Sequence, residues 1–312
     1  MAEMATIPMG LKRIMVTTDF SEGSRQALPL ATDLASQFGA TLTLVFVLPA
    51  MPTAELNNLG IGFEQERLVT EARQRLAQFR EQELPAKLSV ETVLLEGSPP
   101  HEISTFAGDS AIDLIITATH GHTVLKHIWL GSTAERIVQH ARCPVLVARA
   151  QPVPMRFPDD NQCRFQRIVV PTDFSKLSCQ ALRYATAFAR PCGSELTLVH
   201  VIEPPPYPEF GYAHIPRKEA ALRQKARQRL ESDCRELSQS GVNAAPVIRT
   251  GNSFHEIAAL AREQNADLIV IATHSRGAIM HAVLGSTAER VVRHAPCPVL
   301  VVRAQQREFI AK

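Results

Sequence analysis

The sequence predicts two tandem α/β domains, each a doubly wound parallel sheet of five strands with helices on both faces. Short apolar segments rich in β-branched residues alternate with segments of helical periodicity, which is the pattern of βαβ units. The inner strands are apolar throughout, as strands covered on both faces are. The pattern then repeats: Asp19 returns as Asp173 and Gly131 as Gly285, an offset of 154 residues in both cases. An offset of this size indicates duplication of one whole fold.

The first repeat begins with the apolar segment 13–18, which predicts a buried strand. Ser21 or Ser24 can cap the helix that follows, and Gly39 can end it, because glycine readily adopts the left-handed conformation found after helices. The second predicted strand is 41–47, which is again apolar and rich in β-branched residues. Together these elements form the first half of a βαβ unit.

The same alternation continues to the end of the repeat. A charged amphipathic helix is predicted at 64–83, and a third strand at 88–95. Gly97 leads into a helix over 101–108, and the nearly uniform apolar segment 112–118 predicts a central strand. The last two predicted elements are a helix at 131–140 and a strand at 144–148.

The second repeat has the same order of elements. Its strands are predicted near 167–172, 195–201, 245–249, 267–272 and 298–302. A proline-rich segment between the repeats marks a linker. The predicted boundaries are 1–150 for the first domain, 151–165 for the linker and 166–312 for the second domain.

The composition excludes several classes of function. The net charge is +2, from 33 basic and 31 acidic residues, and aromatic residues make up 5%, so a nucleic-acid surface is not expected. No apolar segment reaches the roughly 18 residues that a membrane span needs. The six cysteines contain no C-x-x-C pair, and the first residues lack the apolar region of a signal peptide. We therefore expect a cytoplasmic protein.

Candidate ligand-binding residues lie at the carboxyl ends of predicted strands, where open α/β sheets bind ligands. Asp19 and Asp173 follow the first strand of each repeat, and Val47 and Val201 close the second. A carboxylate at this edge can accept hydrogen bonds from ribose hydroxyls, and the backbone at the valines can bind an adenine edge. This edge of the sheet is therefore the candidate ligand site in both repeats.

Gly131 opens the helix that follows the fourth strand. A helix start presents free backbone N–H groups and the positive end of the helix dipole, and glycine lets the backbone approach an anion closely. A second interpretation stays open, because Ser132 and Glu135 have the spacing of a capping box, which would satisfy these donors within the helix. The helix start therefore predicts either a phosphate site or a self-capped helix.

These motifs resemble those of the universal stress protein family in its tandem two-domain form, over nearly the whole chain. The strings that carry the resemblance are Pro171-Thr172-Asp173-Phe174-Ser175, Ala118-Thr119-His120-Gly121, Leu130-Gly131-Ser132-Thr133-Ala134-Glu135-Arg136 and Cys297-Pro298-Val299-Leu300-Val301-Val302. The resemblance implies a strand order of 3-2-1-4-5 and a fifth strand that pairs two domains, here as a pseudo-dimer within one chain. It also implies ATP binding in some members, no nucleotide in others, and slow or absent hydrolysis.

Nucleotide-binding members of that family carry a G-x2-G-x9-G-[ST] loop after strand 4. In the first repeat this implies Asp19 for the ribose and Val47 for adenine. Ala118 stands where the pattern has glycine, and His120 and Lys126 lie in the same loop, where the lysine adds a cation. The residues implied for phosphate binding are Gly121, Gly131, Ser132 and Thr133.

In the second repeat the corresponding residues are Asp173, Val201, Gly285, Ser286 and Thr287. This repeat departs from the pattern at Ala272 and Ser275, where glycine is expected. A serine that must adopt a positive φ is penalised by its Cβ, and Met280 stands where the first loop has Lys126. We therefore expect the first repeat to be the stronger nucleotide site.

The resemblance and the site residues together predict a stress-linked regulator that binds ATP or another adenine nucleotide, with or without Mg²⁺. Protein partners and a further homodimer stay open. The resemblance implies at most slow ATP hydrolysis, and the absence of a P-loop motif excludes the P-loop NTPase mechanism. The His120–His122 pair is not repeated, so no metal site is expected. The alternative is a nucleotide-free scaffold for proteins or an apolar ligand, favoured by Ala118, Ala272 and Ser275.

Overall fold

The computed structural model describes residues 10–50, 62–119, 131–149, 165–204, 215–273, 285–304 and 306–310. These residues form two compact units. The N-terminal unit contains the described residues of the first repeat together with 306–308, and the C-terminal unit contains those of the second repeat together with Gly10, Phe309 and Ile310. Short terminal segments are therefore exchanged relative to the boundaries expected from the repeat.

The N-terminal unit is a five-stranded parallel sheet in the order β3-β2-β1-β4-β5. This order confirms the doubly wound fold. Its strands are β1 (Arg13–Thr18), β2 (Thr41–Leu48), β3 (Val90–Glu96), β4 (Leu114–Ala118) and β5 (Val145–Ala148). Its helices are α1 (Glu22–Arg25), α2 (Ala27–Phe38), α3 (Gly62–Glu83), α4 (Pro99–Asp109) and α5 (Ser132–His140).

The C-terminal unit has the equivalent order β8-β7-β6-β9-β10, and all of its pairings are parallel. Its strands are β6 (Arg167–Pro171), β7 (Glu195–Ile202), β8 (Ala244–Thr250), β9 (Leu268–Ala272) and β10 (Val299–Val302). Its helices are α6 (Lys176–Cys192), α7 (Ile215–Gln239), α8 (Ser253–Glu263) and α9 (Ser286–His294).

The central strands are buried on both faces, as their uniformly apolar sequences predict. Ile14, Met15 and Val16 of β1 are fully buried, and so are the residues of β4 that pair with them. The edge strand β3 is half-exposed, because only one strand neighbours it. Helices over both faces therefore leave the ends of the central strands as the places where a ligand can reach the sheet.

The first helix is the main local difference between the two units. In the C-terminal unit α6 is continuous from a cap at Ser175 to Gly193, which has φ +60°. In the N-terminal unit the equivalent segment is divided into α1 and α2 at Gln26. Ser21 caps α1 by accepting a hydrogen bond from the Ser24 amide at 3.1 Å, so the first of the two predicted caps is confirmed.

Gly97 and Gly251 occupy backbone conformations that only glycine adopts readily, with φ values of +141° and +146°. A Cβ on Gly97 would lie 2.7 Å from Glu102 Oε1, and one on Gly251 would lie 2.9 Å from Glu256 Oε1. These glutamates, in the repeated His-Glu pairs at the starts of α4 and α8, fold back over the glycines. The pairs therefore have a packing role in both units.

We expect Gly97→Ala to destabilise the protein by roughly 1–3 kcal/mol, because alanine is strained at this φ and displaces the Glu102 side chain. Urea unfolding followed by circular dichroism measures the change. Gly108→Ala is the matched control in α4: its Cβ would meet only the flexible Arg142 side chain at 3.5 Å, so it should be neutral or stabilising by up to about 1 kcal/mol. Equal stability of the two variants would contradict the expectation.

Candidate functional site

A pocket of about 350 Å³ opens at the carboxyl edge of the C-terminal sheet. It lies between the ends of β6, β7 and β9 and the starts of α8 and α9. Its volume falls within the range of roughly 300–1,000 Å³ typical of small-molecule sites. All of the described residues predicted for the second nucleotide site line it: Asp173, Val201, Ala272, Gly285, Ser286 and Thr287.

The start of α9 presents backbone donors to this pocket. Gly285 is the N-cap, has no side-chain cap hydrogen bond, and is fixed by donation of its own N–H to the Thr273 carbonyl at 2.7 Å. Ser286 is thus the first helical residue, so its side chain is not the cap. The capping-box interpretation is wrong in both units, because Gly131 is likewise the N-cap of α5 and makes no side-chain cap bond.

The glutamates in the first turns of α9 and α5 have different neighbours. Glu289, in the first turn of α9, forms an ion pair with Arg293 at 2.6 Å, which compensates its charge. The equivalent Glu135 of α5 accepts a hydrogen bond at 3.3 Å from the neutral amide of Gln139. Because a carboxylate opposes an anion at a helix start, the ion pair with Arg293 reduces the repulsion that Glu289 would exert on an anion bound at α9.

A strained turn holds the aspartate at the end of the first strand of each unit. Phe174 has φ +62° and Phe20 has φ +64°, a conformation that costs of order 1–3 kcal/mol for a bulky residue. Within the turn, the Ser175 amide donates to Asp173 Oδ1 at 3.0 Å. Asp173 therefore enters the pocket wall with one oxygen fixed by the backbone, and the turn positions its carboxylate as an acceptor.

The pocket also contains residues that the sequence analysis missed. His200 donates from Nδ1 to the Thr172 carbonyl at 2.7 Å, and its ring lies 4.6 Å from that of Phe174. Glu203 accepts a hydrogen bond from the Ser253 amide at 3.0 Å through Oε1. Glu203 lies two residues after the predicted Val201, and comparison of the two repeats at this point could have identified it.

In the N-terminal unit the equivalent residues lie at the same edge of the sheet. Asp19 follows β1, Val47 lies in β2, and Ala118 ends β4. Gly131, Ser132 and Thr133 form the start of α5, and the Gly131 amide donates to the Thr119 carbonyl at 2.7 Å. The sites predicted at His120, Gly121, Lys126 and Ser275 lie outside the described residues. The greater strength of the first site therefore stays a prediction.

The interior beside this edge differs between the units. Phe46 of β2 occupies the position of His200, and its ring lies 4.5 Å from the ring of Phe20. Phe20 also contacts Phe79 of α3 at 5.2 Å and lies under the Arg75 guanidinium at 4.4 Å. An aromatic cluster thus supports the strained turn in the N-terminal unit, where the C-terminal unit uses a histidine bound to the backbone.

The described residues contain no group of three histidine, cysteine or acidic side chains arranged to hold a metal ion. His120 and His122 lie outside that part of the chain. The described helices also include none that is both long and apolar enough to cross a membrane.

Cys143 and Cys234 are buried thiols, with exposed fractions of 1% and 6%. Burial, with a smaller contribution from Asp113, raises the pKa of Cys143 to about 12, and burial raises the pKa of Cys234 to about 11. Because the thiolate is the reactive form, we expect neither residue to be alkylated by iodoacetamide in the folded protein near neutral pH, although both should react in urea. Peptide mass spectrometry measures this, and rapid native labelling of either would contradict it.

Comparison with known proteins identifies the family. The model of the universal stress protein family matches residues 10–149 and again 164–303. A universal stress protein of Mycobacterium tuberculosis, Rv1996, is 26% identical over 94% of this chain and 95% of its own. Another, MJ0531 of Methanocaldococcus jannaschii, is 35% identical over 44% of this chain and 82% of its own.

The crystal structure of a universal stress protein from Archaeoglobus fulgidus has the same fold, with a TM-score of 0.70 at 23% identity, over 96% of this chain and 98% of that one. Two matched domains and a shared full-length fold place the chain in one family: it is a tandem member of the universal stress protein family.

Proposed function

We propose that this chain is a stress-response protein that binds ATP at the carboxyl edge of its N-terminal sheet and a nucleotide at the equivalent pocket of its C-terminal sheet. Its family supports the role in stress response. The observation that carries the nucleotide proposal is the convergence of Asp173, Val201 and the Gly285–Thr287 helix start on one pocket. Bound nucleotide would act as a regulatory signal read by protein partners.

The parts of the pocket match the parts of a nucleotide. The start of α9 offers backbone N–H donors and a positive dipole end, which suit a triphosphate. Asp173 offers a carboxylate for ribose hydroxyls, with Ser175 fixing its orientation. Val201 lies at the end of the neighbouring strand, where its backbone can bind a base edge. A linear ligand would thus extend across three adjacent strands.

The pocket has the features of a binding site more than those of a hydrolase. Rapid hydrolysis needs a group that activates water beside the γ-phosphate. His200 is the histidine among the described lining residues, and its Nδ1 donates a hydrogen bond to the Thr172 carbonyl, so this nitrogen cannot act as a base. We therefore propose that the nucleotide is held intact for long periods, as a sensor requires, and that Mg²⁺ accompanies its phosphates.

Two measurements on the purified chain test this function. Mass spectrometry of small molecules released by denaturation should identify an adenine nucleotide. Titration with ATP and Mg²⁺ should give heat in the calorimeter and raise the unfolding temperature, since ligand at about 100 times its Kd stabilises a protein by roughly 2.7 kcal/mol. No heat and no thermal shift at millimolar ATP would overturn the proposal. Released lipid or protein without nucleotide would select the scaffold alternative.

A further inference from the structure

The rims of the two sites differ at a pair of positions that are in contact. In the C-terminal unit Glu203 and Ser253 both line the pocket and are joined by a hydrogen bond of 3.0 Å between Oε1 and the Ser253 amide. At the repeat offset, the N-terminal unit has Pro49 and Pro99 instead. Proline at the start of α4 has no N–H, so that unit needs no acceptor there. Both members of the Glu203–Ser253 pair therefore differ between the two units.

Glu203 is an exposed residue at the rim of the pocket, and it caps the start of α8. Asn252, the N-cap of α8, makes no side-chain cap hydrogen bond, and Glu203 supplies the acceptor for the helix start in its place. The helix dipole favours a negative charge at this end. Among the described residues, Glu203 makes no second side-chain hydrogen bond. Its other oxygen, Oε2, is therefore available to a ligand.

The order of the strands places Glu203 beside the base. The phosphate donors belong to α9, which follows β9, and Asp173 follows β6 in the middle of the sheet. Val201 and Glu203 belong to the end of β7, on the side of β6 away from β9. A nucleotide with its phosphates on α9 and its ribose at Asp173 therefore directs its base toward Glu203.

A carboxylate at this point distinguishes the purine bases, because it can only accept hydrogen bonds. The Watson–Crick edge of guanine presents two adjacent donors, N1–H and the N2 amino group. Adenine presents its amino group beside N1, whose lone pair would face the negative oxygen. We propose that the C-terminal pocket selects guanine nucleotides, with Glu203 as the residue that determines the base, while the N-terminal site with its proline pair takes adenine.

This inference rests on the proposed nucleotide function. Its test distinguishes failure of the base assignment from failure of nucleotide binding itself. The full-length Ser132→Pro protein is titrated with GTP and with ATP by calorimetry. In this variant the start of α5, in the N-terminal unit, has lost one amide donor. We expect GTP to bind at least about tenfold more tightly than ATP, the effect of one hydrogen bond to a charged group. ATP binding as tightly as GTP would overturn the base assignment alone. Absence of binding by both nucleotides, here and in the wild type, would overturn the nucleotide function as well.

Two further variants in the same background test the role of Glu203. Glu203→Gln keeps an oxygen for the Ser253 amide but adds a donor for adenine N1, so the preference for GTP should disappear. The double variant Glu203→Pro with Ser253→Pro installs the pair of the N-terminal unit, needs no helix cap, and should also lose the preference. Melting temperatures confirm that each variant is folded. A GTP preference that survives both changes would contradict the assignment.

Discussion

Ser286→Pro should weaken nucleotide binding at the C-terminal pocket by roughly 10- to 100-fold while leaving the fold intact. The substitution removes the first backbone donor of α9, and a hydrogen bond from such a donor to a charged phosphate contributes about 1.5–3 kcal/mol. Proline is well tolerated at the first position of a helix. Gly285, with φ −60° and ψ 141°, already has the extended backbone that a residue before proline adopts. Calorimetric titration gives the affinity.

Three variants control this experiment. Ser286→Ala removes the hydroxyl and keeps the amide, so it should retain most of the affinity. Ser132→Pro makes the same backbone change in α5, where Gly131 has φ −59° and ψ 140°, and it should affect only the N-terminal site. The double proline variant should bind nucleotide more weakly at both sites. If Ser286→Pro binds as wild type does, the phosphates do not lie on the start of α9.

Asp113→Ala should cost the N-terminal unit about 3 kcal/mol or more. Asp113 is buried at the start of β4 and accepts hydrogen bonds from the Lys12 and Arg13 amides at 2.9 and 3.0 Å. It also faces Arg307 of the C-terminal segment at 3.4 Å. Alanine leaves two backbone donors and an arginine without their shared acceptor, and each hydrogen bond to a charged acceptor contributes about 1.5–3 kcal/mol. Urea unfolding measures the loss.

Two further variants separate the two roles of Asp113, as the acceptor for backbone amides and as the partner of Arg307. Arg307→Ala removes only the ion pair, whose arginine is more than half exposed, so it should cost about 1 kcal/mol or less. Asp267→Ala repeats the main experiment in the C-terminal unit, where Asp267 accepts from the Gln166 and Arg167 amides in the same way. An Asp113→Ala protein as stable as Arg307→Ala would show that the backbone hydrogen bonds contribute nothing.

The elements of the fold could be predicted because they depend on local signals. The apolar segments of β1 and β4 lie within two residues of their predicted bounds, since periodicity and burial on both faces determine them. The positive φ of Phe174 could not be predicted, because nothing in an Asp-Phe-Ser string requires it. The interaction of Arg307 with Asp113 joins residues far apart in the chain, and no sequence pattern relates them.

The residue types of the candidate site could be predicted from the sequence, whereas their geometry could be predicted only in part. The helix start at Gly285 was expected, but its serine had two roles open, as cap or as phosphate ligand, and the backbone position of the glycine excludes the first. Glu203 was missed because its significance lies in the contact with Ser253, which the sequence does not show. Comparison of the two repeats shows that Pro49 and Pro99 replace Glu203 and Ser253, but it does not show that these positions are in contact.

A crystal structure of the chain grown with a non-hydrolysable purine nucleoside triphosphate and Mg²⁺ is the most direct test of the phosphate site. We predict phosphate oxygens within hydrogen-bonding distance of the Ser286 and Thr287 amides and a ribose hydroxyl on Asp173. A nucleotide bound elsewhere on the C-terminal unit, or this pocket left without nucleotide at saturating concentration, would contradict the account.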